Sequence, residues 1–127
     1  MAFEGLDAGD ETRRHGDYIA LPHDEANDGV APGQVVTYDG TAISEVTSSS
    51  SDIFGVLYTY QVFEDGETGQ TIDQSKDATV KVSGSVIADF SNWGSTPSVG
   101  DVLGNSGEVL VLEESGSGED HYEVLLR

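Results

Sequence analysis

The chain has 127 residues, 36% of them hydrophobic and none of them cysteine, which fits one domain with one modest core and leaves no disulfide, thiolate nucleophile or thiolate metal site. Its 24 Asp and Glu against 5 Lys and Arg give a net charge of −19, where a small domain is comfortable at roughly 2–8 in magnitude. That field has the wrong sign for nucleic-acid phosphates, and no run of about 18 apolar residues offers a membrane span, so neither nucleic acid nor membrane is an expected partner.

The carboxylates are scattered along the whole chain, and Lys76 and Lys81 are its only lysines. At about 1 M salt the Debye length falls to about 3 Å, which screens such self-repulsion. The pattern resembles the proteins of salt-in halophiles more than a DNA mimic or a multi-calcium protein.

Residues 1–16 read as an extended arm. They are polar, with isolated Phe3 and Leu6 and a basic cluster at Arg13, Arg14 and His15. No basic segment followed by an apolar run marks a secretory signal. The remaining 17–127 read as a single domain. DYIALP, from Asp17, alternates as a short strand, and the turn-rich HDEANDGVAPG is a loop. QVVTYDG and TAISEV read as a hairpin through Asp39-Gly40. IFGVLYTYQVF is the richest β segment, with Gly55 marking a bulge or bend and Tyr58 and Tyr60 on one face, in the core. EDGETGQTIDQSKD, Glu64 to Asp77, reads as a polar surface loop with a short extended piece.

ATVKVSGSVIADF alternates, with Val80 and Val82 on one side and Lys81 and Ser83 on the other, and Gly84 breaks it into two strands or bends one. SNWGSTPSVGD is a loop with the sole tryptophan and room for one short helical turn at Ser91 to Trp93. VLGNSGEVLVLEE is a second hairpin and HYEVLLR a last strand. No segment keeps a helical period over three turns. The chain is therefore read as all-β, a small β-barrel or sandwich of short antiparallel strands and hairpins.

One unit occurs twice. Gly33, Val35, Val36, Gly40, Ala42 and Ile43 align with Gly100, Val102, Leu103, Gly107, Val109 and Leu110. Each copy reads as a strand entered by a glycine turn and reversed by a second glycine, so the repeat predicts two similar sheet edges.

The search for chemistry is nearly empty. His15, His23 and His121 have no metal-ligand spacing, and no catalytic or metal residues are assigned. GNSGE is explained by its hairpin turn. Paired carboxylates are guaranteed by abundance alone, and nothing marks two of them for glycoside hydrolysis. No phosphate-cradling or dinucleotide motif appears, so no cofactor is expected and the protein is read as not an enzyme.

The order of the parts resembles that of the small head decoration, or capsid cement, proteins of tailed viruses. The likeness runs from Asp17 to Arg127 through Gly33, Val35, Gly55, Val56, Val80, Val82, Gly84, Val86, Gly100, Asp101 and Leu103. It implies a structural virion protein, a homotrimer or other ring. Assembled in the host cytoplasm, it would sit on the outer capsid surface and clamp the major capsid protein. It also implies that the arm, through Phe3, Leu6, Arg13 and Arg14, binds the capsid by strand addition. Deleting the arm is then expected to leave the fold intact. Acidity points to a virus of a halophilic archaeon. Phe90 and Trp93 are expected at a subunit contact, because aromatics are enriched there. The alternative is a carbohydrate- or surface-binding β module from a halophile.

Overall fold

The computed structural model describes residues 5–22, 29–64 and 71–127. Among the described residues there are nine strands and no helix: β1 (Tyr18–Leu21), β2 (Val35–Tyr38), β3 (Ile43–Glu45), β4 (Gly55–Glu64), β5 (Thr71–Lys81), β6 (Gly84–Asp89), β7 (Val102–Leu103), β8 (Val109–Glu114) and β9 (His121–Leu126). They form two antiparallel sheets, ordered β1-β5-β4-β2-β3 and β6-β9-β8-β7. The sheets pack face to face and do not close, so the fold is a sandwich and not a barrel.

Alternation along the strands builds the core. Val35 and Val56 from the five-stranded sheet meet Val86, Ala88, Val109, Val111, Val124 and Leu126 from the four-stranded one. Their chain neighbours Val36 and Leu57 point to the far face of the five-stranded sheet, where a second cluster gathers with Leu21, Val30, Ile43, Ala78 and Val80. The Tyr60 hydroxyl donates to the Val30 carbonyl at 2.9 Å and holds the 29–33 segment over that face.

Both copies of the doubled unit are hairpins. In the first, Thr37 pairs with Ser44; in the second, Val102 pairs with Leu110. Each sits at the end of its own sheet, β3 and β7 being edge strands. The aligned glycines share one conformation: Gly33, Gly40, Gly100 and Gly107 have φ of 92°, 90°, 93° and 70°, the left-handed region where a side chain is strained.

Three expectations are corrected. The stretch from Glu64 to Asp77 is not all loop: β5 begins at Thr71 and pairs with β4 as far as Glu64 opposite Thr71. A hairpin ladder already anchored by Leu57 and Val80 extends through polar residues at little cost, since its backbone bonds need no apolar side chain. Tyr58 and Tyr60 do not share a core face. The pairing slips between Leu57 and Thr59, a bulge that turns Tyr58 outward at 42% exposure while Tyr60 packs on the second cluster. Gly55 opens β4 and carries no bulge; a Cβ there would lie 2.2 Å from the Lys81 carbonyl oxygen. At Gly84 the chain does divide into two strands, which enter different sheets, and Ser91 to Trp93 form a turn.

Candidate functional site

The arm is where structure and sequence part most sharply. Residues 9–14 lie antiparallel along β6. The Gly9 N–H donates to the Ile87 carbonyl at 2.7 Å, and Ile87 N–H to Asp10 at 3.0 Å. Thr12 N–H donates to Ser85 at 3.1 Å, and Ser85 N–H to Arg14 at 2.9 Å. The described part of the arm thus lies along the edge of the four-stranded sheet, hydrogen-bonded to β6 over residues 9–14. Gly16 makes the approach possible. A Cβ at Gly16 would stand 2.0 Å from the Ser83 carbonyl oxygen, and one at Gly84, where φ is 87°, would stand 2.7 Å from that of Arg14.

The arm also neutralises two buried charges of opposite sign. Lys81, fully buried, has its ammonium paired with the Glu11 carboxylate. The same carboxylate takes a contact from the His15 ring and a hydrogen bond from the Tyr18 hydroxyl at 3.3 Å. The bond from Lys81, followed by that from His15, draws the Glu11 carboxyl down to about 2. Burial, followed by the charge of Glu11, pushes the Tyr18 phenol up to about 12.

On the other side of the arm, Glu123 is fully buried. Its Oε2 accepts from Thr12 Oγ1 at 2.6 Å and from Arg13 Nε at 2.9 Å, and its Oε1 lies 2.7 Å from an Arg13 terminal nitrogen. These bonds, with another that Arg13 donates to exposed Glu113 at 2.6 Å, raise the Arg13 guanidinium above its ordinary value. Sequence reading placed Lys81 on the polar side of its strand and did not single out Glu11 or Glu123. The one available hint was Lys81 itself, one of two lysines, set inside an apolar strand.

The expected site residues are scattered. Phe3 lies outside the described residues. Leu6 is half-buried, and Arg13 and Arg14 are exposed, Arg13 being paired with Glu123 of its own chain. Phe90 and Trp93 stack edge to face with centroids 4.8 Å apart, and both are buried in the core between the sheets. Rings that fill their own chain's core cannot anchor a neighbour, so the expected subunit contact at Phe90 and Trp93 is withdrawn. His23 lies outside the described residues. His121 takes a hydrogen bond with Ser117 Oγ at 2.9 Å, and its ring lies 3.7 Å from Asp89. Among the described residues no group of three acidic or histidine side chains converges as a metal site. No helix among them is long and apolar enough to cross a membrane.

One cluster of exposed apolar residues lies at β1, and Val99 and Val102 are exposed just before and at β7, the edge of the other sheet. Strand β1 ends the five-stranded sheet, pairing only with β5 among the described residues, and Tyr18, Ile19 and Ala20 are all exposed. Tyr18 and Ile19 are each 39% exposed, and Tyr58 meets the Tyr18 ring edge to face at 5.5 Å. The Lys81 ammonium lies 4.6 Å from the Tyr18 ring centroid and stiffens the patch from beneath. No family model, curated protein or solved structure matches the chain.

Proposed function

We propose that this chain is a structural virion protein, a cement that decorates the outer capsid surface of a tailed virus of a halophilic archaeon and clamps its major capsid proteins as a homotrimer. The observation that carries the reading is β1. Edge strands of monomers are normally guarded by charge, proline or a bulge, because open backbone groups recruit other strands. The outer strand here carries Tyr-Ile-Ala with no charge, in a chain of net charge −19. An uncharged edge in so acidic a surface is what a protein-facing contact requires, and strand addition supplies it with backbone bonds and alternate side chains. Many copies multiply modest contacts by valency. The motif order from Gly33 to Leu103 supports the same reading.

The test is light scattering and co-sedimentation with capsids in multimolar KCl. A defined trimer that pellets with capsids is expected. Ile19→Lys, which places a charge on the open edge while leaving the β5 pairing intact, is expected to abolish pelleting without changing the circular dichroism spectrum. A parent protein that stays monomeric and ignores capsids would overturn the reading.

A further inference from the structure

The outward positions of an antiparallel sheet are commonly polar. On the four-stranded sheet they are not. Val102 pairs with Leu110 and Leu110 with Leu125, so three aliphatic side chains stand side by side across β7, β8 and β9. Their chain neighbours Leu103, Val109, Val111, Val124 and Leu126 fill the core, which fixes this row on the opposite face. Val102 is 54% exposed, and both leucines are partly exposed. The pairing slips between Val111 and Glu113, and Leu112 in that bulge joins Leu125 in lining an open cleft of about 340 Å³. Farther along the same face Ile87 and Glu123 are buried, and Thr12 and Arg13 of the arm bond to Glu123 there. The row from Val102 to Leu125 stays open.

The chain's three arginines frame this row. Arg13 and Arg14 line the cleft beside Leu112 and Leu125. Arg127 stands at the other end. A Cβ at Gly107 would lie 3.3 Å from Val102 Cγ1 and 3.5 Å from Arg127 Nη2, and that nitrogen donates to the Gly107 carbonyl at 2.9 Å. Arg13 is occupied by Glu113 and Glu123, as Lys81 is by Glu11. Arg14 and Arg127 are exposed, and neither pairs with a carboxylate among the described residues. In a chain with 24 carboxylates, two guanidinium groups without an internal ion pair flank one aliphatic row. Arginine beside exposed apolar surface is the composition of a protein contact, and its planar fork suits carboxylates.

We propose that this face is the contact between copies of this chain. The row packs on a neighbouring copy, and Arg14 and Arg127 donate to that copy's carboxylates. Copies of net charge −19 repel one another over most of their surface. This face lets an acidic neighbour approach with complementary charge, and the nearest acidic neighbour in a pure solution is the chain itself. A basic, apolar patch meets a different, acidic patch, so the contact runs head to tail and closes as a ring. The inference rests on the homotrimer of the proposed function and gives it the subunit contact that Phe90 and Trp93 do not make. It leaves β1 free for the capsid. Burial of the row supplies affinity, and the arginines fix orientation.

The test is sedimentation velocity of the full chain in multimolar KCl, from about 1 μM to about 100 μM, beside two face variants. Val102→Glu puts a charge into the row, and the double change Arg14→Glu with Arg127→Glu reverses its frame. All three side chains are exposed, so circular dichroism is expected to be unchanged. Each variant is expected to raise the concentration needed for half-assembly at least about tenfold, while Ile19→Lys assembles like the parent. A parent that assembles with both face variants unaffected overturns the inference and leaves the trimer standing. A parent that is monomeric throughout overturns the inference and the trimer together. A monomeric parent that pellets with capsids, and loses pelleting in Val102→Glu, would also overturn it, by giving this face to the capsid protein.

Discussion

Truncating Arg13 to alanine tests whether the arm is part of the fold. In the native chain Glu123 receives one hydroxyl and two guanidinium contacts while lying entirely out of solvent. Arg13→Ala leaves it only the Thr12 hydroxyl. A hydrogen bond to a charged group contributes about 1.5–3 kcal/mol, and stranding one partner of a buried pair costs about 3–5 kcal/mol. The Arg13 side chain is itself 59% exposed, so water enters where it leaves and the lower end applies. The expected loss is about 2 kcal/mol, a fall of about 6 °C in melting temperature for a domain of this size. Urea unfolding measures it, with an unchanged slope showing that both states kept their compactness. Glu113→Ala is the control. It removes only the exposed partner of Arg13, 44% accessible, and is expected to change stability by less than about 1 kcal/mol. Adding Glu123→Gln to Arg13→Ala removes the stranded charge and is expected to cost less than the sum of the single changes. An Arg13→Ala protein within about 0.5 kcal/mol of the parent, or one no weaker than Glu113→Ala, would refute the argument and return the arm to the status of a loose tether.

Glu11 makes a pH prediction. Its carboxyl titrates near 4.5 when unperturbed and at about 2 when folded, so its contribution is complete above about pH 5 and is lost as pH falls from 4.5 towards 2. The stability gap between the parent and Glu11→Gln, read from urea midpoints, is expected to close over that window; a gap constant down to pH 2 would contradict it. Gly16→Ala, whose Cβ would meet backbone at 2.0 Å, is expected to lift the arm and speed tryptic cleavage after Arg13 and Arg14 severalfold. Cleavage at the parental rate would show that the close packing is not needed. Melting temperature is expected to rise as KCl goes from millimolar to molar, since repulsion among carboxylates at a net charge of −19 is screened. A salt-independent melting curve would dissociate the composition from halophilic adaptation.

The class of fold and most of its strands were written locally. Alternation in QVVTYDG, VLVLEE and HYEVLLR, with glycine where the chain must turn, specifies β2, β8, β9 and the two hairpins before any tertiary contact forms, because strand period and left-handed turns are properties of a few neighbouring residues. The repeat even announced that both hairpins would lie at sheet edges. What the tertiary structure decided were the matters that depend on partners distant in sequence. A one-residue slip between Leu57 and Thr59 sent Tyr58 outward, against the simple alternation of its strand. Nothing local was enough to mark Lys81 and Glu123 as buried charges, because their counter-charges, Glu11 and Arg13, come from an arm 70 and 110 residues away along the chain. Phe90 and Trp93 carried the composition of an interface and turned out to fill the core, since side-chain chemistry states that a ring will be covered but not by which chain. A cleft beside Trp93 joins residues 47–49 with 93–103, segments that only the tertiary structure brings together.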